Sequence, residues 1–496
     1  MSDFLAGAGV LAAASASASA ILLPAGRARS AAMLVAIALF PILILGDQWH
    51  THQIVDLRHS TGRIVALLAI AAVAVAALAY LFRCWPILLP LAIVAALPFR
   101  VPLHAGGDTA NLLVPLYLVI AGGVLAAAVR DWRVPPAPRV KAAATPGGVA
   151  AVWLPRVLAA VVVLYGLQTL YSEDFSKGLQ NMCFFLVPFT VAFALLQNVE
   201  WDSRLLKLVL FVVTAEALAF VLIGSVEYAT RSLFWNDQVI RSNEFHTYFR
   251  VNSVFWDPNV YGRYLALVLV VVTTALLWAK DRRDFWLLAG TVLVLWIGLA
   301  QTFSQSSFIA LLAGLAVLAA IRWSWRWTLA AVLVGLVGAI LVVILIGGKG
   351  FSLDRFNIDT SGRADLVSGG VELFGERPLW GYGSGSFQHA YRDHRDNKHV
   401  PVSISHTEPV TVAAEQGLVG LALYVALIVV ALWAMAAGLR GRRAGRAAVL
   451  AAFVALLVHT MAYAGFFEDP ITWVLLAVGA ALASTPFVPP PVRPTA

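Results

Sequence analysis

Ile64-Val-Ala-Leu-Leu-Ala-Ile-Ala-Ala-Val-Ala-Val-Ala-Ala-Leu-Ala-Tyr-Leu-Phe82 contains neither a charge nor a proline and is framed by Arg63 and Arg83. A helix of about 20 apolar residues crosses the hydrocarbon of a bilayer. Only helices and closed barrels satisfy every backbone polar group there, and unbroken apolar runs of this length exclude a barrel. Comparable runs recur near residues 4–23, 30–46, 84–98, 110–129, 149–169, 181–197 and 204–225. They return near 260–279, 285–302, 305–321, 327–347, 409–436, 447–466 and 470–486; the run 84–98 is short and contains proline. The composition agrees: of 496 residues 60% are hydrophobic and 12% charged, and the mean hydropathy is +0.82. The expected fold is all-α, a polytopic transmembrane bundle of about 12–15 spans.

Lys and Arg in short loops mark the cytoplasmic side of a membrane protein. Alternate connections carry Arg27 and Arg29; Arg83; Arg130, Arg133, Arg139 and Lys141; Arg204 and Lys207; and Lys280, Arg282 and Arg283. Arg322 and Arg326, then Arg440, Arg442, Arg443 and Arg446, continue the pattern. The net charge of +8 is thereby spent on topology, and nucleic acid is excluded as a partner. The N-terminus is expected outside, with a first span and no cleaved signal peptide, since Asp3 is the only charge before it. Cys84 and Cys183 fall near opposite faces and make no disulfide or metal motif.

The chain divides into N-terminal transmembrane helices (1–148) and a transmembrane core (149–347) that includes an outer loop, 226–259. An extracytoplasmic catalytic loop (348–408), C-terminal helices (409–486) and a Pro-rich cytoplasmic tail (487–496) follow. The outer segments are too long for mere connectors. In the second, Val367, Val371 and Phe374 recur at helical spacing, which predicts a short amphipathic helix over 364–375, lying on the membrane surface and stopped by Gly375. Both segments carry arginines against the positive-inside trend: Arg231, Arg241 and Arg250, then Arg355, Arg363, Arg377 and Arg392. A guanidinium fork binds phosphate oxygens in pairs, so one or two of these suit a lipid-linked phosphate, while most are expected to pair with neighbouring carboxylates. Gly381-Tyr-Gly-Ser-Gly385 follows no strand of a βαβ unit and reads as a tight turn rather than a nucleotide loop. Glu216 and His459 lie inside expected spans, where an ionisable group calls for a polar partner.

Arg363-Ala-Asp-Leu, then Glu376-Arg-Pro-Leu-Trp-Gly-Tyr-Gly-Ser-Gly-Ser-Phe387, then Ser405-His-Thr-Glu408 leading into Glu415-Gln-Gly-Leu-Val-Gly-Leu421, together resemble the O-antigen ligase and polymerase family. Arg250-Val-Asn-Ser-Val-Phe-Trp-Asp-Pro-Asn-Val-Tyr-Gly262 looks like that family's Arg followed by a Pro-Asn turn at the start of a span. Two positions depart from the family pattern: Thr407 follows His406 where Asn is usual, and Ser304-Gln305 stands where a Ser-Arg pair often occurs.

The resemblance implies a glycosyltransferase of the cytoplasmic (inner) membrane, with its active site facing the periplasm or cell exterior. A glycan on a polyprenyl diphosphate would be the donor, and a lipid or saccharide hydroxyl the acceptor. Arg250 and Arg363 would bind the diphosphate, with His406 as catalytic base and Asn259, Glu408 and Glu415 in support. A histidine of ordinary pKa, about 6.5, is a competent base at pH 7. No Asp-x-Asp is present to hold a metal beside the diphosphate, so transfer is expected to need neither metal nor cofactor. Two alternatives are a polymerase joining lipid-linked repeat units and a flippase of lipid-linked oligosaccharide; the absence of an internal repeat weighs against the second.

Overall fold

A computed structural model describes residues 3–49, 61–105, 108–133, 146–234, 236–245, 248–347, 363–395, 404–437, 439 and 444–484. The fold is a polytopic helical bundle. Among the described residues, eleven helices are long and apolar enough to cross a membrane, from Phe4–Leu22 to Glu408–Ala437. Their starts are written in the sequence. Asp174, Asp202 and Asp257 each precede a helix and accept a backbone N–H of its first turn, from Lys177, Leu205 and Asn259.

Helix faces divide between lipid and protein. Val65, Leu67, Leu68, Ile70 and Val73 on Thr61–Cys84 are all exposed, as expected of a helix at the bundle's periphery. Inside, one core gathers Phe189, Phe193, Tyr424, Phe453 and Trp473; a second gathers Tyr261, Leu265, Leu269, Leu311 and Ala451. The helix Ala444–Thr460 contributes to both. A buried ion pair, Arg263 Nε to Asp469 Oδ2 at 3.0 Å, joins Pro258–Leu277 to the start of Pro470–Ser484.

Several expectations are refined. The run 84–98 forms only Leu88–Ala96, too short to cross, and a two-stranded antiparallel hairpin, Val101–Ala105 with Asp108–Leu112, follows it. The runs 305–321 and 327–347 form one continuous helical stretch, because neither glycine nor proline separates them; a π-turn, Ala320–Ser324, joins Gln305–Ala319 to Trp325–Gly347. The amphipathic helix exists as Arg363–Glu376, but it turns Gly369, Gly370 and Leu373 inward, while Val371 is 56% exposed. Two small residues at the contact let the ring of Tyr391 and the side chain of Val410 approach the helix backbone, which the apolar stripe alone could not indicate. An unforeseen helix, Asp237–Phe245, lies in the first outer segment. Arg355, Asp354 and Asp359 lie outside the described residues.

The glycine-rich motif and the Glu-x-Gly motif explain one another. The helix Glu408–Ala437 is kinked at Gly417, which has φ +64°. The chain from Pro378 runs against the kink: Leu418 N–H donates to Pro378 O (2.7 Å), Gly383 N–H to Glu415 O (2.8 Å) and Tyr382 N–H to Ala414 O (3.1 Å). A Cβ at Gly417 would overlap the Leu379 carbonyl group, and one at Gly381 the Glu415 carbonyl. Neither neighbour is a side chain that could swing away.

Gly417→Ala is therefore expected to destabilise the fold by more than the roughly 1 kcal/mol that a positive φ alone costs an L-residue. Gly375→Ala, on a helix with nothing within 4 Å of the new methyl, should be neutral or slightly stabilising. Thermal melting of the two detergent-purified variants compares them directly.

Candidate functional site

The segment ahead of Pro258–Leu277 is anchored by a buried carboxylate. Glu227 Oε2 accepts N–H bonds from Asn252 (3.2 Å) and Ser253 (2.7 Å), and Ser253, at φ +51°, donates its hydroxyl to Phe220 O. Arg250 stands just before this anchor. Asn243 clamps its backbone from both sides, receiving the Arg250 N–H on Oδ1 at 3.1 Å and donating Nδ2 to Arg250 O at 3.0 Å. The guanidinium is fixed at two points: Nε donates to Thr302 O and Nη2 to Asn259 Oδ1, each at 3.0 Å. Two of five N–H donors are thus used in setting the plane of the fork.

His406 occupies a left-handed position, φ +61°, immediately before Glu408–Ala437. The conformation is uncommon for a residue with a side chain and costs on the order of 1 kcal/mol. It is held by the neighbours: Ser405 Oγ bonds Thr407 O and Thr411 Oγ1, and Thr407 Oγ1 donates to Met461 O. The imidazole is half-buried, its centroid 6.0 Å from that of Tyr463, whose ring lies equally far from that of His459.

Arg363 opens the helix Arg363–Glu376, and its charge reaches both other residues. Burial lowers the His406 pKa from its ordinary value, Arg363 lowers it further, and Asp257 opposes the shift. Burial likewise lowers that of Arg250, with Asp257 opposing and Arg363 adding to the effect. The three residues singled out in the sequence, far apart along the chain, therefore share one electrostatic environment together with Asp257. The supporting residues separate. Asn259 belongs to the Arg250 site. Glu408 and Glu415 are buried and hold backbone: Glu408 Oε2 accepts from Gly465 (2.7 Å) and Phe466 (3.0 Å), and Glu415 from Gly385 (2.8 Å) and Phe387 (3.2 Å).

Other arginines have local partners. Arg377 pairs with Glu173 at 2.8 Å over the Tyr382 ring, Arg395 with Glu372 at 3.4 Å, and Arg231 lies over Tyr228 and Phe249. Of the residues inside spans, Glu216 accepts from Tyr264 Oη at 3.0 Å, and His459 meets Ser306 and Ser307. Thr302 and Tyr463 border the site without having been singled out, since single hydroxyl residues near a span end carry no periodic signal; Ser304 entered only as part of a departure from the family pattern. Among the described residues, no group of three or more His, Cys, Asp and Glu could hold a metal ion.

A family model described as O-Antigen ligase matches residues 290–425, about a quarter of the chain, and bears out the resemblance read from the motifs. Arg363, His406, Glu408, Glu415 and the kink at Gly417 all lie within the match; Arg250, Asn259 and His459 lie outside it. No curated protein matches the chain.

Replacing Arg363 with Gln should raise the His406 pKa, because a cation beside an imidazole disfavours its protonated form. The value should remain below the ordinary one, since burial, the larger cause, persists. An NMR titration of ring-labelled protein reads both; an unchanged midpoint would place Arg363 out of electrostatic reach.

Proposed function

We propose that this chain is an O-antigen ligase-like glycosyltransferase that moves a glycan from a polyprenyl diphosphate to an acceptor hydroxyl at the outer face of the cytoplasmic membrane. The observation that carries this reading is that Arg250, a cation oriented by two hydrogen bonds, and His406, a half-buried base, both lie within reach of the charge of Arg363.

The chemistry follows from those groups. The acceptor oxygen attacks the anomeric carbon, and the bond from that carbon to the diphosphate oxygen breaks. The electron pair leaves with the diphosphate, and the hydroxyl proton passes to a ring nitrogen of His406. Charge gathers on phosphate oxygens as the bond lengthens, where fixed guanidinium groups stabilise it most in a partly dehydrated site. Arg250 still has three N–H donors beyond the two that orient it, enough for paired contacts with phosphate oxygens. His406 is kept neutral by burial and by Arg363, so it enters the reaction as a base. The same repulsion makes the imidazolium short-lived and returns the proton to solvent or product. Metal is not required by this scheme, because the two arginines take the place that a divalent ion would hold beside the diphosphate.

Transfer from a purified polyprenyl-diphosphate glycan in liposomes tests the scheme. Arg250→Gln and Arg363→Gln are expected to lower kcat/KM for the donor by about 10²-fold or more. His406→Ala should lower kcat by about 10²- to 10⁴-fold with little change in donor binding. Rate should persist in EDTA; strict dependence on added divalent ion would remove the arginine clamp. The acid limb of kcat/KM should fall below pH 6.5 and move upward in Arg363→Gln, following the base it reports. Product of a single transfer is expected; a ladder of lengths would identify a polymerase instead.

A further inference from the structure

We propose that His459, acting through Ser306, Ser307 and Ser304, is a positioning residue that holds the Asn259 amide against Arg250, and that it does so as the neutral tautomer with its proton on Nε2. Its consequence for donor binding rests on the diphosphate reading above; the tautomer does not.

The direction of every hydrogen bond in this cluster can be derived from one end. A guanidinium only donates, so the Asn259 atom 3.0 Å from Arg250 Nη2 must be the amide oxygen. The same oxygen lies 3.0 Å from Ser304 Oγ, and an amide oxygen cannot donate, so the Ser304 proton points to it. Ser304 has then used its only proton, and its contacts with Ser307 Oγ (2.8 Å) and Ser306 Oγ (3.2 Å) must be bonds that it accepts. Those two hydroxyls are in turn committed as donors. Each still faces His459 Nε2, at 3.2 Å from Ser306 and 3.3 Å from Ser307, and only a proton on Nε2 gives those contacts a donor. The Asn259 carbonyl is a further acceptor turned to the ring. Among the described residues no group lies in hydrogen-bond geometry with Nδ1, so a proton there would lack the acceptors that Nε2 has in Ser306 and Ser307.

The cluster is dry and built. His459 and Ser307 are 0% exposed, Ser304 1%, Ser306 8% and Asn259 9%, so no bulk water offers an alternative partner. Space is set by Gly262, where a Cβ would come within 2.6 Å of Ser307 Oγ and 3.0 Å of Ser304 Cβ. An orphaned polar group this deep is costly, so the chain His459→Ser306/Ser307→Ser304→Asn259 has one favourable direction. That direction leaves the Asn259 oxygen where Arg250 needs it. Arg250 and His459 are thus two ends of one oriented chain, and a group inside the membrane region helps to orient a cation at its edge.

A purely structural cluster would tolerate any change that preserves folding, so two measurements are needed. In protein labelled with [¹⁵N]histidine and assigned with His459→Gln, the His459 ring at pH 7 should show a protonated Nε2 and a bare Nδ1. The opposite tautomer, or a doubly protonated ring, would overturn the inference. Affinity for farnesyl diphosphate, a short polyprenyl diphosphate, is the second readout. His459→Leu should weaken it about tenfold, Asn259→Leu by a similar factor, and the double variant no further, because all three interrupt one chain. His459→Gln can place an N–H at the same reach and should return affinity to within about threefold of wild type. A Leu variant that binds like wild type, or a folded Gln variant no better than Leu, would overturn the inference. If wild-type protein fails to bind farnesyl diphosphate, the diphosphate reading falls and the tautomer alone decides the relay.

Discussion

Non-helical backbone packed within or against a transmembrane bundle must find partners for its amides, because lipid supplies none. Three buried glutamates meet that requirement, and the site depends on them. Glu227 takes the amides of Asn252 and Ser253, Glu408 those of Gly465 and Phe466, and Glu415 those of Gly385 and Phe387. Each sits on a helix and each serves a loop. The first loop carries Arg250, the second follows Tyr463, and the third supports the outer helix packing of Leu373, Phe387 and Tyr391. A carboxylate accepting two amides resembles the capping of a helix: Glu415 does so at the start of Phe387–His394, whereas Glu227 and Glu408 hold chain that is not helical.

The same logic explains the spacing of the glycine motif. Segment 378–387 exchanges hydrogen bonds with the helix at its kink, and closeness there is possible only because both chains lack side chains at the crossing, Gly381 on one and Gly417 on the other. Gln168 reinforces the joint by donating to the carbonyl of Gln416 at 3.1 Å, and Ser172 donates to Ser384 O at 2.9 Å. The motif is therefore a scaffold. It sets where the helix Arg363–Glu376 rests, and through it where the charge of Arg363 is felt.

Hydropathy made most of the spans legible, since an apolar run long enough to cross hydrocarbon has few other uses. It could not show that 305–347 is continuous, because Arg322 and Arg326 imitate a cytoplasmic loop; in the folded chain they lie over the rings of Trp278 and Trp325 while the helix runs on through a π-turn. Nor could periodicity orient the outer helix, whose contact face is made of Gly369 and Gly370. Arg250, Arg363 and His406 were legible as site residues; Asp257 and Ser304 fell in the quoted motifs without a role at the site, and Tyr463, Ser306 and Ser307 gave no signal. Their part depends on proximity between segments some 50 to 200 residues apart, and nothing local encodes it. His459 stood out only as an ionisable group in an apolar run.

Charge placement around the site has a direction. Arg263 and Asp469, both 5% exposed, neutralise each other as a buried pair. Arg250 is influenced by the carboxylate of Asp257 and, in the opposite sense, by the like charge of Arg363. In the free protein that repulsion is an energetic cost kept in place by packing and by the hydrogen bonds of Arg250 to Thr302 and Asn259. On the proposed reading, a diphosphate bound near both arginines would relieve it, and would do so more as its charge grows towards the transition state. Under that proposal such interactions would raise rate rather than affinity alone, so the hydrogen bonds that orient Arg250 would matter as much as the charge it carries.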